Sequence, residues 1–322
     1  MVTPLDSKNI NQILPFGLQS SVLDLVGNTP LMEISHLPLF EEFENIKVFA
    51  KLEFFNYTNS VKARPVLWMI REAERRGILD KSKILLEPTS GNTGIAMAGI
   101  AQLKGHRVTL VMPESMSKER RDIMQSYEAQ LVLTPADEGM DGAIHKAREM
   151  VRNEPKYVML DQFSNQANVQ SHFETTGPEI WVQSRSQVDW FVAGMGTGGT
   201  LMGVGSFLRL QNSQVQIVGV EPHANTPIPG LKNMTTSEVP AIFNANRLDA
   251  KIIVSMSEAI ATVRQFAKEA AMLIGPSSGA ALTGLLKLLR VQKASMKGNI
   301  VVLFPDDGLK YLSQEIFLKR RS

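Results

Sequence analysis

The sequence predicts an α/β protein of two doubly wound domains with mainly parallel sheets. Its 322 residues are enough for about two domains, since one domain takes roughly 100–200 residues. Short apolar, strand-like runs alternate with helical patterns, which is typical of βαβ units. Glycine-rich and polar turns follow several of these runs, at the edge where parallel sheets hold ligands. We therefore expect the active site in the cleft between the two domains.

The alternation begins with a strand at 47–52 and a helix at 65–73. Further apolar runs predict strands at 83–86, 107–111, 130–133, 157–160, 188–193, 215–220 and 299–304. Helical periodicity predicts helices at 95–101, 117–127, 140–151, 169–182, 256–269 and 279–289, with one more after the glycine turn at 194–200. We predict an N-terminal arm at 1–19, a smaller domain at 50–160, and a larger domain formed by 20–49 and 161–322.

Composition excludes several classes of protein. The chain has no cysteine and five scattered histidines, so we expect no disulfide and no metal site. The formal net charge of +2 gives no reason to expect a nucleic-acid or membrane partner. No apolar run approaches the roughly 18 residues of a membrane helix, and no leader pattern opens the chain. We expect a cytoplasmic protein.

The turn Gly194–Thr200 joins a predicted strand to a helix. Its glycines allow the backbone to approach a ligand closely, and the first N–H groups of the helix favour an anion. Gly194, Gly196 and Gly199 also fit the G-x-G-x-x-G pattern, and Glu221 follows at the distance of a ribose-binding acid. The turn alone leaves three readings open: a nicotinamide or flavin site, another phosphate cofactor, or a tight structural turn.

Lys62 lies at the opening of a predicted helix, after the polar turn 56–60. A lysine there is commonly a solvated charge, although a helix N-terminus disfavours cations. A neutral or covalently engaged amine explains this placement better.

Two more polar turns precede helices. Thr89–Thr93 gathers hydroxyl and amide groups that fit either a helix cap or a carboxylate-binding loop. The turn 275–280, which contains Ser277, has the same two readings.

These four stretches, which follow one another in the chain as the turn before Lys62, Thr89–Thr93, Gly194–Thr200 and 275–280, closely resemble the cysteine synthase (O-acetylserine sulfhydrylase) family of fold type II pyridoxal-phosphate enzymes. The resemblance runs from 22–31 to 310–313 and includes 112–121 and 176–181. It implies a fold like that of the tryptophan synthase β chain, with pyridoxal 5′-phosphate as cofactor.

The resemblance also implies a role for each site residue. Lys62 is the catalytic lysine, which holds the cofactor aldehyde and then removes the Cα proton of the substrate, so its pKa has to lie below the ordinary value of about 10.4. Ser277 faces the pyridine nitrogen, and as a neutral partner it favours expulsion of a β-leaving group. The cofactor phosphate is bound by Gly196, Thr197, Gly198, Gly199 and Thr200. The substrate carboxylate is bound by Thr89, Ser90, Gly91, Asn92, Thr93 and Gln162, with Asn92 also near the 3′-oxygen of the cofactor.

The implied activity is β-replacement, in which an O-activated serine and sulfide or thiosulfate give L-cysteine. Segments 228–234 and 239–244 look more like the B-type branch, and we hypothesise that Lys232 pairs with an anionic group such as the phosphate of O-phosphoserine or the sulfonate of thiosulfate. The family usually forms homodimers, and some relatives bind the C-terminal tail of serine acetyltransferase.

Two departures from the family pattern leave alternatives open. Tyr57 replaces the usual proline, where it could reshape the mouth of the site, and Ala63 replaces the usual aspartate. The alternatives are a sister activity such as cystathionine β-synthase or serine/threonine dehydratase, a nicotinamide-dependent oxidoreductase that uses Glu221, and an inactive binding homologue.

Overall fold

The structure is a computed structural model that describes residues 19–89, 91–224, 226–292, 296–314 and 316–317. The predicted N-terminal arm lies outside the described residues except for Gln19, and so does Ser90. Within the described part of the chain, no helix is both long enough and apolar enough to cross a membrane.

In the part of the chain that the structure describes, ten strands form two sheets. A six-stranded sheet has the order β1-β2-β10-β7-β8-β9, and a four-stranded sheet has the order β5-β4-β3-β6. The strands are β1 (Leu31–Glu33), β2 (Ile46–Leu52), β3 (Ile84–Pro88), β4 (Arg107–Pro113), β5 (Gln130–Thr134), β6 (Tyr157–Val158), β7 (Trp190–Gly194), β8 (Gln216–Pro222), β9 (Ala250–Val254) and β10 (Gly298–Phe304).

The α-helices of the described residues connect these strands. They are α1 (Ala63–Arg75), α2 (Asn92–Leu103), α3 (Lys118–Ser126), α4 (Gly139–Asn153), α5 (Gln166–Ser171), α6 (Gly177–Gln183), α7 (Gly199–Gln211), α8 (Met256–Ala270) and α9 (Pro276–Val291). A π-helical segment, His172–Thr176, joins α5 to α6.

All strand pairs are parallel except β1 with β2. Parallel strands are normally covered on both faces, which is why their sequences read as continuous apolar runs. β10 shows this pattern, since Ile300–Phe304 is buried throughout between β2 and β7. The predicted α/β class with mainly parallel sheets is confirmed.

Helix α9 is apolar on nearly all sides and is buried along most of its length. Such a helix belongs inside a protein core rather than on its surface. It begins at Pro276, a position where the missing N–H of proline costs no helical hydrogen bond. This places Ser277 in the first turn of a helix whose position is fixed by packing.

The structure differs from the predicted elements in several places. Strands β1 and β9 were not predicted, the strand expected at 157–160 is limited to β6, and the helix expected at 169–182 is divided by the π-helical segment. The predicted domain boundary at 50 falls inside β2, which belongs entirely to the larger sheet. The division into domains stays a prediction.

A buried cluster of charged side chains fixes helix α1 against the larger sheet. The Arg64 guanidinium, on α1, pairs with Glu53, which follows β2 (Nε–Oε2 2.7 Å), and with Glu179 on α6 (Nη1–Oε1 2.6 Å). Lys51 also reaches Glu179 (2.7 Å). Burial alone would raise the pKa of Glu53, but the Arg64 charge offsets this and lowers it to about 2. The cluster therefore remains ionised at neutral pH.

Replacing Arg64 with methionine should destabilise the fold by about 3–5 kcal/mol, because two buried carboxylates would lose their shared partner. Arg75→Met is the matched control, since Arg75 forms a solvent-exposed pair with Glu72 on the same helix and such pairs contribute little. The midpoint of urea unfolding distinguishes the variants. Equal midpoints for the two variants would show that the buried cluster does not stabilise the fold.

Candidate active site

A cavity of about 340 Å³ opens at the carboxyl ends of strands from both sheets. Pro88 at the end of β3, Gly194 at the end of β7 and Pro305 just after β10 all line it. The predicted site residues that line the cavity are Lys62, Thr89, Gly91, Asn92, Thr93, Gln162, Gly196, Thr197, Gly198, Thr200, Lys232 and Ser277. Gly199 lies directly behind this wall, and Ser90 is outside the described residues.

Lys62 is the last residue before α1 and lines the cavity. Burial lowers the pKa of its amine to about 8, and the nearby Asp306 carboxylate opposes this shift. At pH 7 about one amine in ten is then neutral, compared with roughly one in 3000 for a lysine of ordinary pKa. The position therefore favours a nucleophilic or proton-accepting amine.

The turn before α7 brings backbone unusually close to the cavity wall. Gly198 has a φ of +86°, a conformation that glycine adopts without strain. A Cβ atom on Gly196 would lie 2.6 Å from the carbonyl oxygen of Gly230, and one on Gly199 would lie 2.0 Å from Asn168 Oδ1. Only glycine fits at these two positions. The N-terminus of a 13-residue helix is thereby left open to the cavity, which suits a phosphate group.

Side chains beneath this turn are held by neutral hydrogen bonds. Thr197 Oγ1 accepts from Asn168 Nδ2 (3.1 Å) and from the Gly199 N–H (3.2 Å). Thr200 Oγ1 lies 3.3 Å from His172 Nε2, and burial lowers the pKa of His172 to about 3. His172 is therefore uncharged at neutral pH, so any anion at the turn is stabilised by N–H and O–H groups.

The loop before α2 forms the opposite wall. Thr89 Oγ1 accepts from the N–H groups of Gly91 (3.4 Å) and Gly94 (3.1 Å), which fixes the turn. Thr93 donates to Gln162 Oε1 (2.9 Å). With its oxygen engaged in this way, Gln162 has its amide N–H groups left to donate to a carboxylate.

Glu87 stabilises the segment that contains Gln162 through hydrogen bonds. Its buried carboxylate accepts from the N–H groups of Asp161 (3.3 Å) and Gln162 (3.4 Å). Burial raises the pKa of Glu87 to about 7.

Ser277 lines the cavity from the first turn of α9. Its hydroxyl is 3.5 Å from Asp306 Oδ1, so a buried carboxylate stands directly behind it. The neutral hydroxyl that the resemblance implies therefore has a carboxylate as its neighbour.

Lys232 lies on the same wall as the glycine turn. Its Nζ is 4.6 Å from the centroid of the Phe163 ring, and its backbone N–H donates to Met195 O (2.7 Å). Phe163 also lines the cavity, so the Lys232 amine beside its ring is within reach of the cavity.

Sequence reasoning missed several residues that surround the cavity. Arg120, Asp141 and Tyr311 line it directly, and Asp306 contacts three of its lining residues. The available signal for Asp306 was its position in the sequence. It follows β10, at the same sheet edge where the predicted turns lie.

The two departures from the family pattern lie away from the cavity wall. A Cβ on Gly99 would lie 3.1 Å from the Tyr57 hydroxyl, so Tyr57 packs on α2 and is not among the lining residues. Ala63 is fully buried in the core beside the smaller sheet.

Glu221 does not present an acid to a nucleotide ribose. Its buried carboxylate pairs with Lys251 (2.8 Å) and accepts from the Met234 N–H (2.9 Å). This removes the residue on which the nicotinamide reading depended. Among the described residues, no group of three or more histidine, aspartate or glutamate side chains could hold a metal ion.

A helix N-terminus suited to phosphate, in one cavity with a lysine of lowered pKa, is typical of a class of protein: α/β enzymes that hold a phosphorylated aldehyde cofactor. A family model described as pyridoxal-phosphate dependent enzyme matches residues 22–306. The chain belongs to this family, and the predicted cofactor, pyridoxal phosphate, is confirmed.

Several curated relatives are similar over nearly their full length. The chain is 44% identical to a cysteine synthase of Aquifex aeolicus over 93% of this chain and 92% of that one. It is 43% identical to cysteine synthase B of Escherichia coli, covering 92% and 96%, and 41% identical to cysteine synthase A of the same organism, covering 91% and 93%.

Solved structures show the same fold. A cysteine synthase from Entamoeba histolytica superimposes with a TM-score of 0.87 at 29% identity, covering 100% of this chain and 96% of that one. An O-ureido-L-serine synthase superimposes with a TM-score of 0.85 at 33% identity, covering 95% and 98%.

The rate at which the apoprotein captures pyridoxal phosphate should rise up to about pH 8 and then level off, because only the neutral amine attacks an aldehyde. A lysine of ordinary pKa would keep gaining rate up to about pH 10.4. Stopped-flow measurement of the visible absorption of the bound cofactor gives the rate, with Lys62→Ala as the control that captures none. A rate that still rises steeply near about pH 10 would contradict the lowered pKa.

Proposed function

We propose that this enzyme catalyses β-replacement on an O-activated serine, with a sulfur nucleophile, to give L-cysteine. The observation that carries the proposal is the meeting of Lys62, the glycine turn before α7 and the Thr89–Thr93 loop in one cavity. Relatives named cysteine synthase support it along almost the whole chain.

The residues present fit pyridoxal phosphate. Gly196–Thr200 would hold its phosphate, Lys62 its aldehyde carbon and Ser277 its pyridine nitrogen, and when bound the cofactor withdraws electrons from the substrate Cα. Two glycines at the turn allow the close packing against Gly230 and Asn168 that fixes the position of the turn.

Substrate binding and proton transfer are performed by different groups of the chain. The N-terminus of α2, with Thr93 and Gln162 beside it, binds and orients the substrate carboxylate. Lys62 Nζ accepts the Cα proton, for which a pKa of about 8 is well matched. Burial of these groups keeps water from competing with the sulfur nucleophile.

A purified-enzyme panel tests the activity. O-acetylserine and O-phosphoserine are each supplied with sulfide, thiosulfate or homocysteine, and the corresponding products, L-cysteine, S-sulfocysteine and cystathionine, are measured. We expect product from at least one of the two inorganic sulfur donors and a loss of about a hundred- to ten-thousandfold in Lys62→Ala, because a positioned acid–base group contributes about 10²–10⁴ in rate. Release of pyruvate without cysteine, or product only with homocysteine, would favour a dehydratase or cystathionine synthase instead.

Lys232 is proposed to select the anionic substrate. Lys232→Ala should lower kcat/KM about tenfold for O-phosphoserine or thiosulfate relative to O-acetylserine, since a charge-assisted contact is worth about 1.5–3 kcal/mol. Lys268→Ala is the control, because Lys268 is an exposed lysine on α8. An unchanged preference in Lys232→Ala would refute the assignment.

The B-type character, the homodimer, the cytoplasmic location and the binding of serine acetyltransferase are also proposals. For the B-type character, the support is a cysteine synthase B relative at 43% identity, beside a cysteine synthase A relative at 41%.

A further inference from the structure

The side-chain amide of Asn92 is held at both of its ends. Asn92 is the first residue of α2 and lines the cavity. Its Nδ2 donates to Asp306 Oδ2 (2.8 Å), and its Oδ1 accepts from Lys310 Nζ (2.9 Å). Both partners come from the segment that follows β10, more than 200 residues away in the chain.

Asp306 is a fixed point in that segment. It is fully buried, and its carbonyl oxygen accepts from the Gly275 N–H (3.1 Å) and the Ser278 hydroxyl (3.1 Å). The Tyr311 hydroxyl donates to Asp306 Oδ2 (2.7 Å). Burial, together with the Asp306 charge, raises the pKa of Tyr311 well above its ordinary value, so the phenol stays protonated and remains a donor.

Lys310 connects Asn92 to the loop that leads into Lys62. Besides Asn92 Oδ1, its ammonium donates to the carbonyl oxygens of Asn59 (2.8 Å) and Thr58 (3.3 Å). These three acceptors match the three N–H donors of a lysine. Lys310 therefore links the Thr89–Thr93 loop to the loop that leads into Lys62.

These contacts dictate which way the Asn92 amide faces. A reversed amide would point its NH₂ group at the Lys310 ammonium and its oxygen at the Asp306 carboxylate, and both charge-assisted hydrogen bonds would be lost. In the observed orientation, one N–H of Nδ2 remains for a ligand. Asn92 is thus fixed as a hydrogen-bond donor towards the cavity.

We propose that Asp306 and Lys310 are positioning residues that clamp Asn92 so that it donates to the amino-acid carboxylate. The inference rests on the proposed function, because it takes an amino acid as the ligand of the Thr89–Thr93 loop. Lys310 acts through Asn92 and contacts neither the phosphate turn nor the Lys62 amine, whereas Asp306 also lies near that amine and the Ser277 hydroxyl. Loss of the Lys310 contacts should therefore weaken amino-acid binding while leaving cofactor binding intact.

Lys310→Met and Asp306→Asn test the clamp, with Lys310→Arg as the conservative variant and Asp307→Asn as the matched control. Asp307 is the neighbouring carboxylate, which accepts from the Leu309 N–H (3.0 Å) and does not line the cavity. Two readouts are compared: the KM and kcat for O-acetylserine, and the apparent Kd for L-serine from the change in cofactor absorption.

For Lys310→Met we expect KM and the L-serine Kd to rise about ten- to a hundredfold, since one charge-assisted contact is lost, while kcat changes by less than about threefold. Asp306→Asn should raise both constants and also change kcat, because it removes the charge that opposes the lowering of the Lys62 pKa. Lys310→Arg should recover part of the loss, and Asp307→Asn should match the wild type. Cofactor content and the unfolding midpoint, measured on every variant, show whether each one is folded and loaded.

An Asn92→Ala background shows whether Lys310 acts through Asn92. If it does, adding Lys310→Met to Asn92→Ala should raise the Kd no further. An equal increase in both backgrounds, or an unchanged L-serine Kd in folded, loaded Lys310→Met, would overturn the inference. A wild-type protein that binds the cofactor but neither binds L-serine nor turns over O-acetylserine would instead refute the proposed function.

Discussion

The position of Lys62 depends on the guanidinium of Arg64, two residues further along helix α1. Arg64 is fully buried and bonds to Glu53 and Glu179 at the same time. A buried ion pair is weak evidence for net stability, but an unpaired buried charge is very costly. Few alternative positions of α1 are therefore possible, because the helix can pack only where one arginine satisfies two carboxylates from different elements. This packing places the Lys62 amine at the cavity.

The cavity is surrounded by the beginnings of helices. The first turns of α2, α7 and α9 contribute lining residues, and Lys62 lines the cavity from the position just before α1. Helix N-termini carry partial positive charge, so the cavity favours anionic groups at several points and disfavours an ammonium. A lysine placed among them and removed from bulk water has a lowered pKa, and the same setting suits a phosphate and a carboxylate.

Local sequence patterns were sufficient to predict many of the residues that line this cavity. The glycine turn, the Thr89–Thr93 loop, Lys62 and Ser277 each follow a strand-like run or open a helix, and each signal lies within about ten residues. The contacts of Asp306 and Lys310 join positions more than 200 residues apart, and no local pattern encodes such contacts. The position of Asp306 directly after β10 was the available clue. Two aspartates beside a glycine, however, are also typical of an ordinary turn.

The fold was predictable for a similar reason. Long apolar strands and amphipathic helices are periodic, whereas β1 has only three residues and alternate residues of β9 are only partly buried at the sheet edge. The π-helical segment 172–176 could not be read from periodicity, because its sequence continues the helical pattern of its neighbours. Tyr57 was expected at the mouth of the site, but it packs against Gly99 because that glycine leaves room for a ring on α2.

Helix α7 packs against α5 almost backbone to backbone. A Cβ on Gly203 would lie 2.4 Å from the carbonyl oxygen of Val169, so close packing restricts movement of the helix. The cavity wall at the start of α7 is therefore held in one position. Diversification of substrate choice in such a scaffold has to occur on the remaining walls, through side chains that can be exchanged without moving the backbone.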